Sequence, residues 1–124
     1  MRRGGNLGPT PRCLGVIRVL QLSDPHLLAD PRGLCRGRPA LGCLRHGWSE
    51  ALRQRGQRPD LLLISGDLCQ DESLGGYVRL REWLEQAVLP LGVAVALLPG
   101  NHDHPGLLRC ALSVAPCWHQ RCCR

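Results

Sequence analysis

"DLLLISGD", residues 60–67, is the stretch from which the architecture follows. Leu61 to Ile64 is a continuous apolar run of strand length, closed by Asp60 on one side and by Ser65-Gly66-Asp67 on the other. A run without polar alternation suits a strand covered on both faces, the usual situation in a parallel sheet. Its flanks should then hold crossover helices that lead to further parallel strands.

Both flanks carry that pattern. Upstream, "VIRVLQL", 16–22, is short and rich in β-branched residues, and it ends in Ser23-Asp24-Pro25-His26, a strand feeding a polar loop. Residues 29–42, punctuated by Pro31, Gly33, Gly37, Pro39 and Gly42, continue the loop. From Cys43 to about Gly56, the residues Leu44, Trp48, Ala51 and Leu52 share one helical stripe, which Gly56 and Pro59 end. Downstream, Asp71, Glu72 and Ser73 set acidic and capping groups at a helix start. Leu74, Tyr77, Val78, Leu84 and Val88 keep helical spacing up to Pro90, with Gly75 and Gly76 weakening the first turn. "VAVALL", 93–98, is a third strand, and Pro99-Gly100 turns it into Asn101-His102-Asp103-His104. The fold class is α/β: a parallel βαβαβ unit with right-handed crossovers. Loops that follow parallel strands leave on one edge of the sheet, so residues 23–26, 65–67 and 100–104 should meet in space.

The composition sharpens interest in those loops. A chain of 124 residues is expected to form one domain. All 16 basic residues are Arg, Phe is absent, and only Asn6 and Asn101 represent asparagine, a skew that GC-rich coding produces. The net charge of +6 comes from arginines scattered over the chain, with 3 Trp and 1 Tyr available for stacking. That scatter counts against nucleic acid as the main partner. No run approaches about 18 apolar residues, so no membrane span is expected. Nothing at the N-terminus resembles a signal segment, so the 8 Cys are expected to be reduced and the protein cytoplasmic.

Carboxylate, imidazole and amide oxygen at three strand ends suit a borderline-to-hard divalent ion such as Mn²⁺, Fe²⁺ or Zn²⁺. Asp24 and His26, two apart in an extended loop start, should point the same way and grip one ion; Asp67, on its glycine turn, is placed to bridge two; Asn101 offers a neutral oxygen to the second. Taken singly, Asp24 before Pro25, or Asp67 and Asn101 beside glycines, read as turn formers. All three arising together as turn formers would take three coincidences. His104 lies one step past the cluster and reads as a loop residue, His46 as solvated surface, and Asp71 and Ser73 as caps.

Asp24-x-His26, Gly66-Asp67 and Gly100-Asn101-His102-Asp103, in that order and separated by helical crossovers, resemble the calcineurin-like metallophosphoesterase superfamily. "LQLSDPHLLADPRG" followed by "GRPALGCL", and "LLLISGDLCQDES" followed by Tyr77, are similar to its bacterial 3′,5′-cyclic-AMP phosphodiesterase branch. The resemblance covers about residues 16–109 and implies the first half of a β-sandwich flanked by helices. It makes Asp24 and His26 ligands of one metal, Asp67 the bridge and Asn101 a ligand of the second, with two Mn or Fe ions, or Zn, as cofactors. It makes His102 the catalytic histidine, with Asp103 orienting its ring. The implied reaction is attack of a hydroxide shared by the ions on the phosphorus of a small phosphodiester such as a cyclic nucleotide.

The family completes its site from a second half that includes a Gly-His-x-His pair, and residues 110–124, "CALSVAPCWHQRCCR", lack the resemblance. The expected organisation is therefore a flexible lead-in at 1–13, the N-terminal half of the domain at 14–109, and a Cys-rich tail at 110–124. Such a tail is what a frame lost near residue 110, or an early stop, would produce. The expectation is a truncated, impaired phosphodiesterase, with a complementing second half as an open question. Three alternatives stand beside it: a non-catalytic metal- or phosphate-binding remnant, an Arg-rich nucleic-acid module, and a zinc knot of Cys110, Cys117, His119, Cys122 and Cys123.

Overall fold

The computed structural model describes residues 15–113, so the lead-in 1–13 and all of the tail beyond Ser113 lie outside the described residues. In chain order the elements are β1 (Val19–Ser23), the short β2 (Leu34–Cys35) and β3 (Arg38–Pro39), α1 (Ala40–Arg55), β4 (Leu61–Gly66), α2 (Leu74–Trp83), β5 (Ala94–Pro99) and α3 (Pro105–Ser113). Strands β1, β4 and β5 form a parallel sheet with β4 in the centre, as the apolar run at 61–64 required. Val19 pairs with Leu61 and Leu61 with Ala94, so the three strands end almost level, at Ser23, Gly66 and Pro99.

The central strand is not covered equally on both faces. Leu62 and Ile64 are fully buried, whereas Leu61 and Leu63 are half-buried. The strand order explains this, because two right-handed crossovers stepping in one direction place their helices on the same side. On that side Leu41, Leu44 and Trp48 of α1 and Tyr77, Leu80 and Trp83 of α2 form one core with Leu62 and Ile64. Trp48 meets Trp83 edge to face at 6.1 Å and donates its indole N–H to the carbonyl of Ala87 at 3.2 Å.

Helix α1 begins three residues before Cys43, after a hairpin of β2 and β3 within the stretch read as loop. Gly56, at φ 62°, closes it by donating its N–H to Leu52. Leu44 and Trp48 of its stripe are buried, while Ala51 and Leu52 are half-buried. Strand β1 is shorter than the run 16–22, because Val19 is already level with the first residue of β4. Among the described residues Val16 and Ile17 therefore have no strand beside them, and both are 73% exposed. Helix α2 starts where the acidic and capping residues placed it, with Ser73 Oγ accepting from the Gly76 N–H at 3.1 Å. Its helical path continues as a wide π turn over Leu84–Val88 and a tight turn over Leu89–Leu91, where Pro90 has no N–H to carry it further. Helix α3, in which Leu108 and Ala111 are buried, runs across the 109/110 boundary drawn from sequence. No helix among the described residues is long and apolar enough to cross a membrane.

Candidate metal centre

The level strand ends bring the polar loops together. The Asp24 N–H donates to the Ser65 carbonyl at 2.8 Å, His26 N–H to Asp67 at 3.1 Å and Leu27 N–H to Leu68 at 3.0 Å. The first loop is thus laced to the second beyond the end of the sheet. Oδ1 of Asp24 accepts the Asp67 N–H at 3.1 Å, and Oδ1 of Asp67 accepts the His102 N–H at 3.3 Å. Asp24, His26 and Asp67 each offer a ligand atom, and those atoms lie within 4.8 Å of one another. Asn101 and His102 are exposed on the third loop, beside Asp67.

The convergence does not arise from an extended backbone, as the sequence suggested. Asp24 and His26 stand at φ 51° and 47°, a region non-glycine residues seldom occupy, and they do so at a site of proposed ligands. Two glycines make room for the carboxylates. A Cβ on Gly66, itself at φ 90°, would overlap Oδ1 of Asp24. One on Gly100 would stand 2.8 Å from the Asp67 nitrogen, against the carboxylate of Asp67.

This donor set fits a divalent cation. The carboxylates of Asp24 and Asp67 share the cluster, and among the described residues no arginine bonds to either. Nδ1 of His26 is buried and has no hydrogen-bond partner among the described residues, an arrangement that costs free energy unless something else engages the ring. A neutral imidazole is a common ligand for such ions, and carboxylate oxygens complete a borderline-to-hard set.

Asp103 behaves differently from the sequence expectation. Its carboxylate was expected to orient the His102 ring, but its hydrogen bonds go to the backbone of both neighbouring loops. Oδ2 accepts the Gly100 N–H at 2.7 Å and the Leu68 N–H at 2.9 Å, and Oδ1 accepts the Cys69 N–H at 3.1 Å and the Tyr77 hydroxyl at 2.9 Å. Tyr77, fully buried on α2, in turn accepts the His104 N–H at 2.7 Å. Burial, above all, pushes its phenol up to about 12; the Asp103 carboxylate adds to this and the His104 N–H opposes it. In the sequence Tyr77, the one tyrosine in the chain, stands out as a member of a helical stripe and as part of the family resemblance, with no role assigned to its hydroxyl.

The remaining candidates fall outside the centre. Nδ1 of His104 accepts the Leu107 N–H at 3.1 Å, which caps the first turn of α3 ahead of Pro105. Asp71 accepts from Ser73 Oγ at 2.5 Å and from the Ala29 N–H at 3.1 Å. Burial works to raise its carboxyl, but these bonds and that from Cys69 outweigh it and hold the group below its usual range. His46 is exposed, and Cys35, Cys43, Cys69 and Cys110 form no disulfide among the described residues. Cys110 is exposed on α3, and the other members of the suggested zinc knot lie outside the described residues.

Comparison with known proteins agrees with this arrangement. The model of the calcineurin-like phosphoesterase family matches residues 17–121, a span that runs on past Arg109. A probable cyclic nucleotide phosphodiesterase of Synechococcus sp. (strain WH7803) is 43% identical over 114 residues, which cover 82% of this chain and 42% of the relative. A cAMP/cGMP dual specificity phosphodiesterase of Mycobacterium tuberculosis (strain CDC 1551 / Oshkosh) is 35% identical over 73% of this chain and 28% of its own length. For the 3′,5′-cyclic adenosine monophosphate phosphodiesterase of Escherichia coli (strain K12) the figures are 31% identity, 80% and 34%. The chain therefore spans at most about two fifths of the length of these relatives. With the family model covering most of its length, and Asp24, His26 and Asp67 gathered at the sheet edge, the chain belongs to the calcineurin-like phosphoesterase family.

Proposed function

We propose that this chain carries the metal-binding loops of a cyclic-nucleotide phosphodiesterase that hydrolyses a 3′,5′-cyclic phosphate such as that of cyclic AMP. The observation that carries the proposal is the meeting of ligand atoms of Asp24, His26 and Asp67 within 4.8 Å of one another, with Nδ1 of the His26 ring buried and without a partner among the described residues. The names of the relatives support the substrate class.

Asp24, His26 and Asp67 would hold one divalent ion, with Asp67 and Asn101 contributing to a second; Mn²⁺ or Fe²⁺ are the ions proposed, with Zn²⁺ as a further candidate. Such ions supply Lewis acidity, neutralising charge on the phosphoryl oxygens and lowering the pKa of water. The residues of the chain do the rest. The exposed imidazole of His102 lies on the loop tied to Asp67 and can donate a proton to the departing sugar oxygen. Asp103 supports this proton transfer through the loop backbone rather than through the imidazole itself. A diffusible nucleotide substrate favours the cytoplasm as the compartment.

The test is turnover of cyclic AMP and of bis(p-nitrophenyl) phosphate by the purified chain with added Mn²⁺, beside Asp67→Ala. Mn²⁺-dependent hydrolysis that disappears in Asp67→Ala is the expected result. Binding of Mn²⁺ without turnover would overturn the catalytic assignment and leave a metal- or phosphate-binding module.

A further inference from the structure

Asp103 and Tyr77 form a connection that the metal-ligating residues do not need for their own hydrogen bonds. Leu68 and Cys69, whose N–H groups Asp103 accepts, directly follow Asp67; Gly100, which it also accepts, directly precedes Asn101. One carboxylate thus fixes the turn bearing Asp67 against the turn bearing Asn101 and His102. The Tyr77 hydroxyl reaches this point from α2, an element that belongs to neither loop, and binds Asp103 and the next residue, His104, at 2.9 and 2.7 Å. Its ring fills core space that a phenylalanine would fill equally well, so the hydroxyl is what tyrosine adds here. A buried hydroxyl that donates one bond and accepts another admits few alternative geometries.

The structure assigns Tyr77 and Asp103 as a positioning pair that sets the cation affinity of the centre by fixing Asp67 relative to Asn101 and His102. The assignment rests on the metal centre proposed above. Neither residue belongs to the gathered ligand set, so each acts through the backbone of the ligand loops. Outer partners of this kind are worth about 10–100-fold in metal affinity.

The experiment is a Mn²⁺ titration of the full chain, followed by the electron paramagnetic resonance signal of free Mn²⁺, with melting temperatures recorded in parallel. Tyr77→Phe and Asp103→Asn are expected to weaken Mn²⁺ binding about 10–100-fold. Val88→Ala, which thins the core away from these loops, should lower the melting temperature and leave the affinity unchanged. Affinities of Tyr77→Phe and Asp103→Asn equal to that of the unsubstituted chain overturn the assignment. So does an affinity that falls with melting temperature in Val88→Ala as well, since the role would then be structural only. If Asp103→Asn does not fold, Tyr77→Phe decides, because it keeps the ring. If the unsubstituted chain binds Mn²⁺ no better than Asp67→Ala does, the metal centre itself is refuted and the positioning role falls with it; retained wild-type binding separates the two failures.

Discussion

Gly66 and Tyr77 show how single residues set this site. A methyl group on Gly66 would meet the Asp24 carboxylate on a backbone already held at φ 90°. Gly66→Ala is therefore expected to cost more than about 1 kcal/mol in a denaturant melt, and to weaken Mn²⁺ binding by displacing Asp24. Unchanged binding in a folded variant would show that Asp24 is not held where the cation binds. For Tyr77, removing the hydroxyl takes one donor from Asp103 and leaves the His104 N–H without its acceptor, and Tyr77→Phe should lose about 1–3 kcal/mol at neutral pH. The phenol is raised in the folded chain to about 12, so its contribution is complete below the unfolded value near 10 and disappears as pH climbs from there towards about 12. Melts across that window should show the unsubstituted chain and Tyr77→Phe converging. None of this was visible in the order of residues: an aspartate beside a histidine suggests a pair, and only tertiary structure shows that the carboxylate turns to Leu68, Cys69, Gly100 and Tyr77 instead.

Elements were legible where local signals and packing agree. Ser73 is one such signal: its hydroxyl caps α2 at the Gly76 N–H, and Ser73→Ala should destabilise the chain by about 1 kcal/mol in a thermal or urea melt. No loss would mean that Asp71 or solvent takes over the cap. The central strand at 61–64 and the two crossover helices were readable because apolar runs and breakers bound them, and the level strand ends then made the meeting of the three loops a topological necessity. The hairpin of β2 and β3 was not readable. Its strands are two residues each, and its turn is Arg36-Gly37 at φ 51° and 76°, where asparagine or aspartate before glycine is the usual signal. Helix α3 does carry a start signal in Pro105, but its cap is His104, a residue whose side chain seldom serves there. The left-handed backbone at Asp24 and His26 was equally hidden, since nothing in Asp-Pro-His marks positive φ.

At the scale of the molecule, the centre joins segments that are distant in sequence, and its charge arrangement should be felt by the whole fold. Asp24 and Asp67 bring like charges together at the edge of the sheet, bonded to backbone N–H groups and, among the described residues, to no cationic side chain. Without a cation this repulsion opposes folding; with one, the same groups bind the folded state and not the unfolded chain, which cannot bring the loops together. Asp67→Asn keeps an oxygen for the His102 N–H while removing one of the charges. In a chelator the variant should therefore be more stable than the unsubstituted chain, by about 1–4 kcal/mol, the range from bulk water to a protein surface for charges this close. In Mn²⁺ the order should reverse: the unsubstituted chain gains about 2.7 kcal/mol once the ion reaches 100 times its dissociation constant and more as it rises further, and the variant gains much less. Paired melts in chelator and in Mn²⁺ read that reversal directly. If Asp67→Asn is the less stable protein in both, Asp67 serves the fold rather than a cation; a reversal means the sheet edge carries a strain that only the ion relieves.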